Sequence, residues 1–124
     1  MAYEIPGQVI TFEAGADLSA KQFYVVYLSS ADTVNVATSN STQVPIGILQ
    51  NDPESGKPAS VCVSGVSKAE AGGAISAGDI VTFGSDGRVT SLGGATGVYA
   101  VGVALQAATA AGQVIPVLIK MFAV

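Results

Sequence analysis

Residues 16–28 read A-D-L-S-A-K-Q-F-Y-V-V-Y-L, and residues 74–83 read A-I-S-A-G-D-I-V-T-F. In both, a turn of small residues leads into a β-branched and aromatic run. Each is followed by a matching phrase, P-I-G-I-L-Q at 45–50 and A-V-G-V-A-L-Q at 100–106. Each then ends in a loop that reaches a glycine, Gly56 before A-S-V-C-V and Gly112 before I-P-V-L-I. Leu18, Ser19, Ala20, Gly47, Gly56 and Val61 meet Ile75, Ser76, Ala77, Gly102, Gly112 and Val117 at an offset of about 55 to 57 residues, near the upper end of repeat periods. Two copies are too few for a solenoid, which needs at least three to bury a continuous core. The reading is one barrel domain over residues 16–124, made of two similar β halves at about 16–63 and 74–119.

Punctuation supports the β assignment. Nine apolar or β-branched runs recur: Val9 to Phe12, Phe23 to Leu28, Val34 to Val36, Ile46 to Leu49, Ser60 to Val63, Ile80 to Phe83, Val89 to Ser91, Val98 to Leu105 and Val114 to Phe122. Asp86-Gly87 between two of them is a hairpin signal. Asn51 to Pro58, with two prolines, suits neither a helix nor a central strand. Short strands at this spacing indicate an all-β sandwich or barrel. Single helical turns fit at Leu18–Phe23 and Ile75–Ile80, where Asp17 or Ser76 stands near an N-cap. Ala104–Ala111 has high helix propensity, but its equivalent in the first half is the plain loop N-D-P-E-S-G, which favours strand then turn.

Residues 1–15 differ in character. They have no counterpart ahead of the second half, where Ser64 to Gly73 reads as a polar connector. Pro6-Gly7 divides them into an extended arm and a first strand. An apolar arm of this kind can add a strand to a neighbour's open edge. Tyr3, Ile5, Pro6, Val9 and Phe12 are therefore the candidate contact residues for a neighbouring subunit or a scaffold.

Composition narrows the function. Charged residues make up 11% of the 124, against about 25% in ordinary soluble domains. A chain of 12.3 kDa retains roughly 6,000 Å² of surface, so much of the exterior must be small or aliphatic. With a mean hydropathy of +0.52 and no membrane-spanning run, some apolar surface is expected to be covered by a partner subunit. The net charge is −4 and the five basic residues are scattered, so the cationic field that nucleic-acid binding needs is missing. The start, M-A-Y-E-I-P-G, lacks the basic and apolar regions of a signal peptide. Gly93 to Gly112 is Gly, Ala and Thr without flanking lysine or arginine, unlike a membrane helix. Synthesis in the cytoplasm and no membrane partner are the expectations.

The search for chemistry returns mainly absences. There is no histidine and one cysteine, Cys62, so a nitrogen or sulfur cage for zinc is not available. Cys62 sits in the run Val61-Cys62-Val63 and reads as a small buried hydrophobe. A nucleophilic role would need a base beside it. Asp52 and Glu54 lack the spacing of a calcium loop. A serine–lysine dyad would have to recruit Lys21 or Lys68 without a supporting motif. The glycine-rich stretches at Gly72-Gly73 and Gly93–Gly97 are not followed by the lysine and Ser/Thr of a phosphate loop. No catalytic, cofactor or metal residue is assigned. The enzymatic rival is a small hydrolase or lyase using Asp52, Glu54 or Asp79.

The phrases G-A-D-L-S-A-K-Q-F-Y-V-V, P-I-G-I-L-Q-N-D-P-E-S-G-K-P-A-S-V-C-V-S-G-V-S-K, A-I-S-A-G-D-I-V-T-F-G-S-D-G-R-V and V-G-V-A-L-Q-A-A-T-A-A-G, in this order and spacing, resemble the capsid cement or head decoration proteins of tailed bacteriophages, from about Val9 to Ile119. The resemblance implies a small β-barrel of the β-tulip kind. It implies a homotrimer on the outer surface of the expanded head, bound to the major capsid protein and holding its subunits together against packaged DNA. The rival structural reading is a tail, fibre or adhesion module, against which stands the lack of coiled-coil heptads.

Overall fold

Short β-branched runs cut by turn residues leave strand pairing as the main way to satisfy the backbone. In the computed structural model, which describes residues 2–124, each of the nine expected runs supplies a strand. The strands are β1 (Ile5–Ala14), β2 (Val25–Ser30), β3 (Thr33–Val36), β4 (Pro45–Leu49), β5 (Pro58–Glu70), β6 (Ile80–Phe83), β7 (Val89–Ser91), β8 (Tyr99–Ala104) and β9 (Val114–Ala123). No helix occurs among the described residues. Leu18–Phe23 and Ile75–Ile80 form turns, and Ala104–Ala111 passes from strand to turn as expected. Met1, the first residue of the expected arm, lies outside the described residues.

All nine strands belong to one sheet in the order β1-β3-β2-β4-β5-β9-β8-β6-β7, with β1 also paired to β5. Strands β1, β3, β2, β4 and β5 therefore make a ring. The other four leave β5 as an arc whose last strand comes back, through an isolated parallel bridge between Val89 and Ala71, to the residue just past β5. The whole is barrel-like but not closed. Outward from the central β5–β9 pair, the order is β5-β4-β2-β3 on one side and β9-β8-β6-β7 on the other.

Register and hydrogen bonds run in parallel on the two sides. Val26 pairs with Gly47 as Val81 pairs with Gly102. Leu49 pairs with Val61 as Ala104 pairs with Val117. Phe23 N–H donates to Leu49 O and Gly78 N–H to Ala104 O, both at 2.8 Å. Gly56 N–H donates to Ala14 O and Gly112 N–H to Ala71 O, again both at 2.8 Å.

The expectation that Ser64–Gly73 is a connector is corrected. Residues 64–70 are the second half of β5, which pairs with β9 from Val66–Leu118 to Glu70–Val114. That ladder matches the one β1 makes with the first half of β5, where Val9 meets Cys62 and Glu13 meets Pro58. The polar residues disguise the strand. Ser67 is fully buried, yet its hydroxyl donates to Lys68 O and accepts from Gln50 Nε2, both at 2.9 Å, so its burial leaves nothing unpaired. Nor does Pro6-Gly7 break β1, since a register shift between Pro6 and Gln8 absorbs the irregularity.

Two apolar clusters fill the interior. One contains Ala14, Leu18, Val26, Val34, Leu49, Ala59 and Val61. The other contains, at the matching places, Ala71, Ile75, Val81, Val89, Ala104, Ile115 and Val117, and adds Phe83 and Val101 together with Val25, Ala37 and Ile48 from the first half. Fully burying each large aliphatic contributes about 1.5–3 kcal/mol.

Candidate interaction surface

The N-terminal segment is not a free arm. From Ile5 to Glu13 it is laddered to β5, and Glu4 adds an ion pair to Lys68 at 3.9 Å. Tyr3, Ile5, Pro6 and Val9 are exposed. Phe12 instead turns inward, half-buried against the first cluster. Four of the five candidate contact residues thus lie on the surface, and Phe12 is half-buried beside the first cluster.

A larger feature escapes sequence reasoning. Ile5 pairs with Val66, Val66 with Leu118, Leu118 with Val103, and Val103 with Ile80. In-register neighbours share one face of a sheet, so these five residues form an apolar row across β1, β5, β9, β8 and β6. Ile5 is 65% exposed, Leu118 40% and Ile80 39%, with Val66 and Val103 half-buried. Ser64 and Lys68 flank the row along β5, and Lys120 flanks it along β9. An uncharged centre with a polar rim is the anatomy of a protein interface. The available signal is the run I-P-V-L-I at 115–119, apolar at both parities when one buried face needs only one.

A second apolar patch is a groove of about 220 Å³ whose lining includes Val44, Pro45, Tyr99, Met121 and Phe122.

Several ionisable groups are engaged in structural contacts. Arg88 donates to Asp86 at 2.7 Å and lies 3.5 Å from Glu70, which accepts from the Tyr24 hydroxyl at 3.2 Å. Burial works to raise the Asp86 carboxyl, but hydrogen bonds from the Arg88 backbone and guanidinium outweigh it and hold the group below its ordinary range. Burial, followed by the Glu70 charge, raises the Tyr24 phenol. Burial also raises the Cys62 thiol, which donates to Ser64 O at 3.1 Å, a setting opposite to that of an activated nucleophile. Lys21 lies over the Tyr24 ring at 5.0 Å and Lys68 over the Phe23 ring at 5.8 Å. Asp79 accepts from Ser76 N–H at 2.9 Å and from the Ser91 hydroxyl at 3.2 Å, while Asp52 and Glu54 are exposed in a loop. Among the described residues no three His, Cys, Asp or Glu side chains gather to hold a metal ion.

The family model described as phage cement protein matches residues 5–119. This chain belongs to the phage cement protein family. As a cement protein it is a structural, decorating component of the virion, located on the phage head and bound to the capsid. No curated protein sequence matches it. Among solved structures, the cement protein is similar to the N-terminal base of the head fibre protein gp8.5 of bacteriophage phi29. That match has a TM-score of 0.70 and 22% identity, and covers 91% of this chain and 93% of the other. At that identity the likeness speaks for the fold.

Proposed function

We propose that this cement protein binds the outer surface of the expanded head as a homotrimer and stabilises contacts between major capsid subunits against internal DNA pressure, with no catalytic activity of its own. The observation that carries the reading is the family match over residues 5–119, joined to a surface on which apolar residues replace charge. A symmetric shell offers many copies of one epitope. A trimer engaging three at once gains avidity from modest single contacts, so uncharged rows and an apolar N-terminal segment suffice. Tyr3, Ile5, Pro6 and Val9, exposed along β1, are the proposed capsid-facing contacts.

The test is to add purified protein to undecorated heads. Stoichiometric co-sedimentation with expanded heads is expected. Failure to bind either immature or expanded heads at high concentration overturns the reading. The likeness to a head fibre base supports a second reading, in which the chain seats a longer fibre on the head. That version expects heads carrying this protein to retain a separate fibrous component.

A further inference from the structure

The two halves differ in what covers their outer faces. In the first half, Val25 and Ile48 turn away from the first cluster and are buried in the second. The tip of the β6–β7 hairpin fastens beside them, with Gly87 O accepting from Val25 N–H at 2.8 Å. The matching places in the second half hold Ile80 and Val103, two members of the exposed row, and among the described residues Ile80 stays exposed and Val103 only half-buried. The converse mismatch lies at Phe83, wholly buried in the cluster that joins the halves. Its counterpart, Leu28, is 43% exposed. The internal junction thus uses one outer row and one inserting side chain. One unused version of each remains, the row on the second half and Leu28 on the first.

We propose that the chain is a doubled unit, and that a second copy of it covers the row Ile5–Val66–Leu118–Val103–Ile80 with the Leu28 side of its first half. The contact would extend, between chains, the junction that the chain already makes within itself. It is head-to-tail, and such contacts close into rings when the rotation permits. No member of the row carries charge, so the covering surface must be apolar, as Leu28 is. This names the face behind the oligomer in the functional reading and rests on that part of it. Capsid binding is a separate claim.

Sedimentation velocity on the full chain tests it, using Leu118→Asp, Leu28→Asp and, as a control away from both apolar patches, Ala110→Asp in the exposed loop before β9. All three positions are exposed, so each variant should keep the wild-type circular-dichroism spectrum. The wild type and the control should be oligomeric. Each of the other two should associate at least about thirtyfold more weakly, the effect of losing a hot-spot residue. A mixture of Leu118→Asp and Leu28→Asp should form a heterodimer, because each supplies the face the other lacks. A wild type that stays monomeric at its highest soluble concentration overturns the proposal. So do variants that keep the wild-type mass, or a mixture that yields no heterodimer. If the monomeric wild type still coats heads, and Leu118→Asp does not, the row belongs to the shell and the decoration reading survives alone. An oligomer that behaves as expected but never coats heads would leave the contact between copies standing and remove the decoration reading.

Discussion

The first and second halves of this molecule pair their strands in the same order and register, yet they reach the same backbone shape with different residues. Where the second half has Gly78 (φ 90°) and Gly87 (φ 82°), the first has Phe23 (φ 70°) and Asp32 (φ 54°), the only non-glycine residues of positive φ among those described. Left-handed backbone costs an L-residue roughly 1–2 kcal/mol. The first half tolerates this for different reasons at each place. Phe23 packs its ring against the second cluster, and Asp32 occupies an exposed hairpin turn. The difference shows that geometry is held by pairing and packing, while local propensity is free to drift.

The sharpest way to break the comparison is at Gly47 and Gly102. A Cβ at Gly47 would collide with the Cys62 carbonyl oxygen, and one at Gly102 with the Leu118 carbonyl oxygen, matching positions on β5 and β9. Gly47→Ala and Gly102→Ala should each cost about 3 kcal/mol or more by urea denaturation, since backbone cannot yield as a side chain can. If one is harmless, the two ladders are not equivalent. Next, Val25→Ala should cost about 2 kcal/mol and Ile80→Ala about 0.5 kcal/mol in dilute solution, because only Val25 is buried within the chain. Equal losses would mean that the outer faces are covered alike. The smallest change is Asp32→Gly, which should raise stability by up to about 1 kcal/mol in the same assay by relieving the left-handed turn. A loss there would show that Asp32 is held by something beyond turn geometry.

Much of the fold is legible because its strands are short, β-branched and bounded by turn residues. Asp86-Gly87 announces its hairpin by chemistry alone. Phe23 reads as the start of a strand because an aromatic before Val25-Val26 carries no mark of a positive φ. The length of β5 is hidden by Ser64, Ser67 and Lys68, whose polarity suggests a loop until Gln50 and the Lys68 carbonyl are seen to satisfy Ser67. The candidate surface is half legible. Tyr3, Ile5, Pro6 and Val9 stand out as sizeable apolar residues in the first fifteen, but Phe12 looks the same in sequence and packs half-buried against the first cluster. Leu118, Val103 and Ile80 lie far apart along the chain and meet only through register, which no local pattern specifies.

Strand β5 is thirteen residues long, about 40 Å at the usual rise, and both halves grip it. A tension drawn along it would load its ladders to β1 and β9 in shear, so that many hydrogen bonds must fail together. A pull across an edge strand would open them one at a time. The strand therefore acts as a tie rod, giving the molecule a stiff direction and a weak one. How the protein is oriented on the head then decides whether a load meets its stiff direction or its weak one.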